Sequence, residues 1–188
     1  VSSVEKNSDL KLKLDIYKDL LLRWSVSLNL VAKSTLSSIE TRHFDDSLQL
    51  LPFLSFGDSI VDLGSGAGFP GMVLAMCGFN VTLVESDQKK CVFLENVSRE
   101  TNTSLQIVCS RVESFYPEKK PEIITARAVA SVSKLIHISK HLALKDKTRG
   151  VFLKGENVDV ELQEISKDRV IKNRSFKSPK TYIIQYQY

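Results

Sequence analysis

Positions 60–71 read IVDLGSGAGFPG, an apolar run into an acid followed by four glycines within eight residues. Gly64, Gly66 and Gly68 suit positive φ and a close approach of backbone to a ligand, and Pro70 suits the first position of a following helix. Two nucleotide chemistries fit. Gly66, Gly68 and Gly71 satisfy the GxGxxG dinucleotide fingerprint, with Glu85 at the distance expected of a ribose-binding acid. A dinucleotide fingerprint, however, starts directly after its strand, whereas Gly64 and Ser65 intervene here. Asp62 adds a negative charge that opposes a pyrophosphate and favours a ligand carrying an ammonium and a sulfonium, as S-adenosylmethionine (SAM) does. A SAM site leads on these residues, and a dinucleotide site and a purely structural tight turn stay open. Glu85, closing VTLVE, offers its carboxylate to both ribose hydroxyls under either nucleotide reading; otherwise it is a surface acid at a strand end.

Other reactive residues are less organised. Cys77, Cys91 and Cys109 are odd in number, lie in apolar segments and lack CxxC spacing, so reduced and mostly buried thiols of a cytoplasmic protein are expected. His137 and His141 share a helix face without a third ligand, so no metal is expected. Six basic residues between Lys167 and Lys180 accompany the single acid Asp168. Such a run either meets a polyanion or is a solvated face.

The elements that must position these residues follow from periodicity. Leu10, Leu14, Tyr17, Leu21, Trp24 and Leu28 recur at steps of three or four and predict an amphipathic helix over about 9–28. Ser37 and Glu40 stand in capping-box spacing before Ile39, Phe44, Leu48 and Leu51, predicting a second helix that Pro52 stops. From 58 onward short β-rich runs (Ser59–Leu63, Asn80–Glu85, Leu105–Cys109, Glu122–Ala126, Gly150–Lys154) alternate with helical ones. One of these has Asp87 as N-cap, and another carries Leu135, Ile138 and Leu142. That alternation predicts a parallel sheet covered on both faces. DRVIKNRSF and KTYIIQYQY, separated by Lys177 to Pro179, predict an antiparallel hairpin at the sheet edge. The expected organisation is an N-terminal helical region, 1–55, packed on an α/β domain, 56–188. With 188 residues, 43% of them hydrophobic, the chain can bury a sizeable core, and its net charge of +4 is modest. No run reaches the roughly 18 apolar residues of a membrane span, and the first residues show no signal-peptide pattern.

VDLGSGAGFPG, VESDQKKCVFLENV, SRVESF, ITARAVASVSKL and FLKG follow one another in the order and spacing of the bacterial small-subunit rRNA guanine-N7 methyltransferases, the GidB or RsmG family. RWSVSLNLVA and TRHFDDSL resemble that family's N-terminal signatures, so the likeness runs from about Trp24 to Lys154. It implies a class I SAM-dependent methyltransferase fold, Rossmann-like, with a mostly parallel seven-stranded sheet and an antiparallel C-terminal strand. The implied reaction places a methyl on N7 of one guanosine in 16S rRNA, on the free RNA or the small ribosomal subunit, by a cytoplasmic enzyme expected to be a monomer. Gly64, Ser65, Gly66, Gly68, Phe69, Glu85 and Ser86 then bind SAM, with Val112 and Glu113 bordering adenine. Arg127 holds the SAM carboxylate or an RNA phosphate, and Lys154 points into the same cleft. Arg127, Lys154 and His43 are the candidate catalytic residues. Arg42, Arg111, Lys172, Arg174, Lys177 and Lys180 are candidates for binding RNA, and Arg42, His43 and Asp46 for docking guanine. Relatives often carry Arg-His entering the last strand, where this chain has Lys180 and Thr181. Lysine keeps the charge and loses the bidentate fork.

The chemistry agrees with the resemblance. Methyl transfer from a sulfonium is an in-line displacement that depends on alignment. ITARAVA stands where amine methyltransferases carry an Asn-Pro-Pro-Tyr clamp, and no cysteine nucleophile accompanies it. Guanine N7 already exposes a lone pair, so no general base is required. Two further classes remain at this stage: an NAD-dependent oxidoreductase using the nested GxGxxG, and a catalytically silent RNA-binding protein on a methyltransferase scaffold.

Overall fold

A computed structural model describes residues 3–175 and 180–188, of which residues 3–7 by backbone alone. Seven strands form one sheet: β1 (Ser59–Leu63), β2 (Asn80–Glu85), β3 (Gln106–Cys109), β4 (Ile123–Arg127), β5 (Arg149–Lys154), β6 (Val170–Arg174) and β7 (Tyr182–Gln187), in spatial order β3-β2-β1-β4-β5-β7-β6. The strands from β3 to β5 pair in parallel, and β7 is antiparallel to both β5 and β6. The five strands expected from sequence are present within one residue at each end. The hairpin is present too, with Val170 opposite Tyr186 and Arg174 opposite Tyr182. Its turn, including Lys177, lies outside the described residues. As expected, the hairpin lies at one edge of the sheet, with β6 outermost and β7 between it and β5; β3 is the opposite edge. Ile183 and Ile184 are adjacent and both fully buried, one on each face, as a strand covered on both sides requires.

Alternation of side chains divides the core. Ile60, Leu83, Ile123, Leu153 and Ile183 point to one face, and Val61, Val84, Ile124, Phe152 and Ile184 to the other. The first face is covered by α1 (Ser3–Trp24), α3 (Gly71–Met76) and α4 (Gln88–Glu100), the second by α5 (Val132–Ser139) and α6 (Val158–Glu161). The predicted stripe of α1 is real: Tyr17 and Leu21 are fully buried, and Leu10, Leu14, Trp24 and Leu28 pack against the same core. Each fully buried Leu contributes about 1.5–3 kcal/mol. The helix starts earlier than expected and ends at Trp24 rather than near 28, since Ser25, Ser27 and Asn29 favour turns. The Ser27 hydroxyl donates to the Trp24 carbonyl there. Asp87 caps α4 as predicted, accepting from the Lys89 and Lys90 amides.

The single helix expected over 37–51 is not formed. In its place a 3₁₀ segment (Lys33–Ser38), a π-turn (Glu40–Phe44), the one-turn α2 (Asp45–Leu48) and a 3₁₀ turn (Leu51–Phe53) follow one another. The capping box is absent, since Glu40 is preceded by Ile39 without a side-chain cap. Hydroxyls of Thr35, Ser38, Thr41 and Ser47 each donate to a carbonyl three or four residues earlier, which disturbs regular α-helical pairing. Pro52 lies within the last turn, after α2 has ended. Pro70 sits one position before α3 rather than at its first residue. Of the three thiols only Cys91 is buried; Cys77 is intermediate and Cys109, on an outer strand, is exposed.

Candidate active site

Strand order reverses between β1 and β4, and a cleft of about 760 Å³ opens beyond the carboxyl ends of β1, β2, β4 and β5. That volume falls within the range of about 300–1,000 Å³ typical of a small-molecule site. Gly64, Ser65, Gly66, Phe69 and Glu85 line it, as do Arg127, Lys154, His43 and Arg42. Asp46 lines it too, and the other predicted residues stand elsewhere. Ser86 is exposed beyond β2, Val112 is buried in a short 3₁₀ turn (Val112–Ser114), and Glu113 and Arg111 are exposed beside it. Lys172 and Arg174 lie on edge strand β6; Lys172 pairs with Asp159 and sits over the Tyr182 ring, and Lys180 pairs with Glu156.

Gly64, Gly66 and Gly68 all have positive φ, at 56°, 59° and 100°. The reason for the missing side chain differs among them. A Cβ on Gly66 meets only the Gly64 carbonyl, 3.8 Å away, and otherwise stands in the cleft. A Cβ on Gly68 strikes the Tyr17 hydroxyl at 2.6 Å and Leu94 and Met72 at 2.9 Å. Gly66 is bare toward the cleft, and Gly68 is bare toward α1. Tyr17, fully buried, donates its hydroxyl to the Ala67 carbonyl and stacks on Phe69 at 5.2 Å, so α1 supports the loop from beneath. In the sequence Tyr17 is marked only as a position in an apolar stripe.

Asp62 does not face the cleft. Its carboxylate is fully buried, accepting from Thr125 Oγ1 at 2.7 Å and from the Gly71 amide at 3.3 Å, and burial pushes its pKa up to about 6. It ties β1 to β4 and to the start of α3, so the charge argument that favoured a sulfonium over a pyrophosphate is withdrawn. Glu85, 7% exposed, accepts from the Gly66 amide through Oε2 and from the Asp87 amide through Oε1, both at 2.8 Å. Each oxygen retains a further lone pair, compatible with accepting from ribose hydroxyls.

Arg127 ends β4 and is held from the N-terminal segment. Its Nη1 donates to His43 Nδ1 at 2.8 Å and to the Arg42 carbonyl at 3.2 Å, and its guanidinium lies 4.7 Å from the Phe69 ring centre. Because Nδ1 accepts from Arg127, His43 carries its proton on Nε2, which donates to Thr35 Oγ1 at 2.9 Å; Thr35 in turn donates to the Ala32 carbonyl at 2.7 Å. Burial first, then Arg127 and Arg42, lowers the His43 pKa to about 4. At neutral pH the imidazole is therefore uncharged, with its basic nitrogen occupied. It orients Arg127 and is not placed to take a proton. Thr35 escaped sequence analysis, because nothing local marks a side chain that acts through a residue eight positions away. Ala128, directly after Arg127, holds φ at 57°, an uncommon conformation for a residue with a Cβ.

On the opposite wall, Lys154 Nζ donates to the Ala130 carbonyl at 2.6 Å and pairs with Glu161 at 2.7 Å, and Glu161 also accepts from the Val132 amide. Lys154 thus joins β5 to the entry of α5 and to α6. Among the described residues no three His, Cys, Asp or Glu side chains group as a metal site, and no helix is long and apolar enough to cross a membrane.

The sequence profile of the GidB family, described as rRNA small subunit methyltransferase G, matches residues 10–182. Among curated relatives, the ribosomal RNA small subunit methyltransferase G of Gluconobacter oxydans is 41% identical over 157 residues, covering 83% of this chain and 80% of its own. The protein of the same name from Rickettsia typhi is 37% identical over 161 residues, covering 85% and 82%. Solved structures share the fold at lower identity. A mutant of MtNAS in complex with S-adenosylmethionine superposes with a TM-score of 0.58 at 15% identity over 94% of this chain and 75% of its own. An rRNA methylase from Streptococcus thermophilus superposes with a TM-score of 0.56 at 13% identity, over 75% and 93%.

Proposed function

The chain belongs to the GidB family of small-subunit rRNA methyltransferases, and on that premise we propose that it transfers the methyl group of SAM to N7 of a guanosine in 16S rRNA. The cleft at the β1–β4 switch point carries this reading, with its bare Gly66 and the Glu85 carboxylate beside it. These residues fit the cofactor: Gly64 to Gly66 offer backbone to its methionine part, and Glu85 offers its carboxylate to the ribose. Bound there, SAM supplies an electrophilic methyl on a sulfonium. The chain's own residues then have to align base and cofactor and exclude water. Arg127, fixed by His43 through Nη1, keeps Nε and Nη2 for a ligand. A neutral His43 with an occupied Nδ1 is consistent with a nucleophile that needs no deprotonation, as N7 is. Arg42, at the cleft mouth, and the basic residues of β6 and of 177–180 provide phosphate contacts. The protein acts as a monomer in the cytoplasm, on 16S rRNA or the small subunit.

Mapping N7-methylguanosine in 16S rRNA from cells with and without the gene tests the reading, alongside transfer of label from SAM to the small subunit by purified protein. Loss of one modified guanosine and its restoration in vitro are expected. Binding of rRNA without transfer of label would move the protein to the catalytically silent class.

A further inference from the structure

Of the carboxylates that line the cleft, Glu85 serves the cofactor reading, and Glu156 and Glu161 pair with Lys180 and Lys154, which leaves Asp46 without such a role. Asp46, in α2, lines the cleft and is 8% exposed. Its Oδ1 accepts from Gln49 Nε2 at 3.1 Å, and Ser175 donates to Gln49 Oε1 at 2.7 Å, which turns the Gln49 amide so that its donor faces Asp46. Oδ2 accepts no hydrogen bond among the described residues. Arg127 and Arg42 are near enough to favour the ionised form against the burial that raises its pKa, yet neither forms an ion pair with it among the described residues. A buried carboxylate with one neutral partner is costly in a finished core. An amide or an apolar residue would serve the packing better. The arrangement is therefore one of opposite charges lining one cleft without an ion pair between them: an anion anchored through one oxygen, and a guanidinium anchored through one nitrogen with two nitrogens left over.

We propose that Asp46 and Arg127 together read the Watson–Crick edge of the guanine, Asp46 Oδ2 accepting from N1–H and the 2-amino group while Arg127 donates to O6. The inference rests on the guanine-N7 reading above and deepens it. Guanine presents acceptor, donor, donor along that edge. Adenine presents a 6-amino donor toward the guanidinium and the N1 lone pair toward the carboxylate, so both contacts turn repulsive. Pyrimidines have no N7. With the edge so held, N7 engages neither charged group and its lone pair stays available. Discrimination of this kind is strong because a site built to bond a polar edge leaves its own buried groups unpaired when the wrong base enters. Gln49 and Ser175 act as positioning residues that fix Oδ1 and leave Oδ2 for the base.

The test uses 16S rRNA in which the methylated guanosine is replaced, by splint ligation, with inosine, which lacks only the 2-amino group. Wild-type protein and Asp46→Asn are compared on both RNAs. The Asn variant retains an Oδ1 acceptor for Gln49 and places an amide donor where Oδ2 stood. Wild type is expected to prefer guanosine over inosine by at least tenfold in kcat/KM. In Asp46→Asn the guanosine rate should fall tenfold or more and the preference should shrink below about threefold, while the calorimetric Kd for SAM stays within twofold. Equal rates for the two RNAs with wild type, or a preference retained in the variant, overturns the proposal. So does loss of SAM binding or of thermal stability in Asp46→Asn, which would assign the carboxylate to cofactor or fold. A wild-type protein that leaves N7 of the guanosine RNA unmethylated removes the functional reading first, and that failure is visible without the variant.

Discussion

Exchanging Gly66 and Gly68 for alanine, one at a time, separates the two reasons for the bare loop. At Gly68 the new methyl meets the Tyr17 hydroxyl at 2.6 Å and two apolar side chains at 2.9 Å, in a backbone held at φ 100°. Left-handed strain costs about 1–3 kcal/mol, overpacking another ~1–3, and disturbing the Tyr17–Ala67 hydrogen bond about 1. The total is on the order of 3–7 kcal/mol, which for a domain of this size lowers Tm by roughly 6–28 °C. At Gly66, φ 59° costs an alanine about 1 kcal/mol, or roughly 2–4 °C, because the nearest atom is 3.8 Å away. The methyl then occupies space claimed by the ligand. Thermal melting with and without SAM, followed by calorimetry, should show Gly68→Ala melting well below wild type while Gly66→Ala melts near wild type and gains no stability from SAM. Comparable melting losses in the two variants, or a Gly66→Ala protein that SAM stabilises as it does wild type, would refute the division.

Glu85→Ala should weaken SAM by about 1–3 kcal/mol, five- to 150-fold in Kd, through lost ribose contacts and a loosened Gly66 amide; an unchanged Kd would leave Glu85 as a tie between β2 and the loop only. His43, with its pKa lowered to about 4 from 6.5, gives stability that is full above pH 6.5 and declines as pH falls toward 4, because the unfolded chain takes up the proton first. Urea titrations of wild type and His43→Asn should therefore converge by on the order of 2 kcal/mol over that window, and a constant gap would show that His43 titrates normally. Changing Lys172, Arg174, Lys177 and Lys180 together to Gln should reduce the salt slope of 16S rRNA binding while leaving SAM affinity within about twofold. An unaltered slope in filter binding would shift the RNA surface toward Arg42, Arg111 and Arg127.

What could be read in the sequence was what local pattern determines. VTLVE and IVDL are mostly apolar because parallel strands are buried on both faces, and their limits were legible almost to the residue. Asp87 as a cap and Glu85 at a strand end were equally local. The segment 37–51 misled because its apolar spacing suits a helix while its hydroxyl residues pull the backbone into 3₁₀ and π turns, a competition that period alone does not weigh. The placement of β7 between β5 and β6 belongs to strand order, which no window reveals, although two adjacent buried isoleucines were the available clue. At the site, the glycine loop announced itself. The inward turn of Asp62, the Thr35–His43–Arg127 chain and the Tyr17 hydroxyl did not, since each is a contact between residues distant in sequence or a side-chain direction.

Because the Tyr17 hydroxyl bonds the Ala67 carbonyl and fills the space left by the missing Gly68 side chain, α1 and the cofactor loop share one local-opening equilibrium. A ligand that binds only the closed loop must then hold the helix down as well, by mass action. Amide exchange in α1 around Tyr17 should slow as SAM is added, although none of the described side chains of α1 lines the cleft. The helix thereby becomes a remote reporter of occupancy, and substitutions along its apolar stripe become a means of tuning cofactor affinity without touching the pocket.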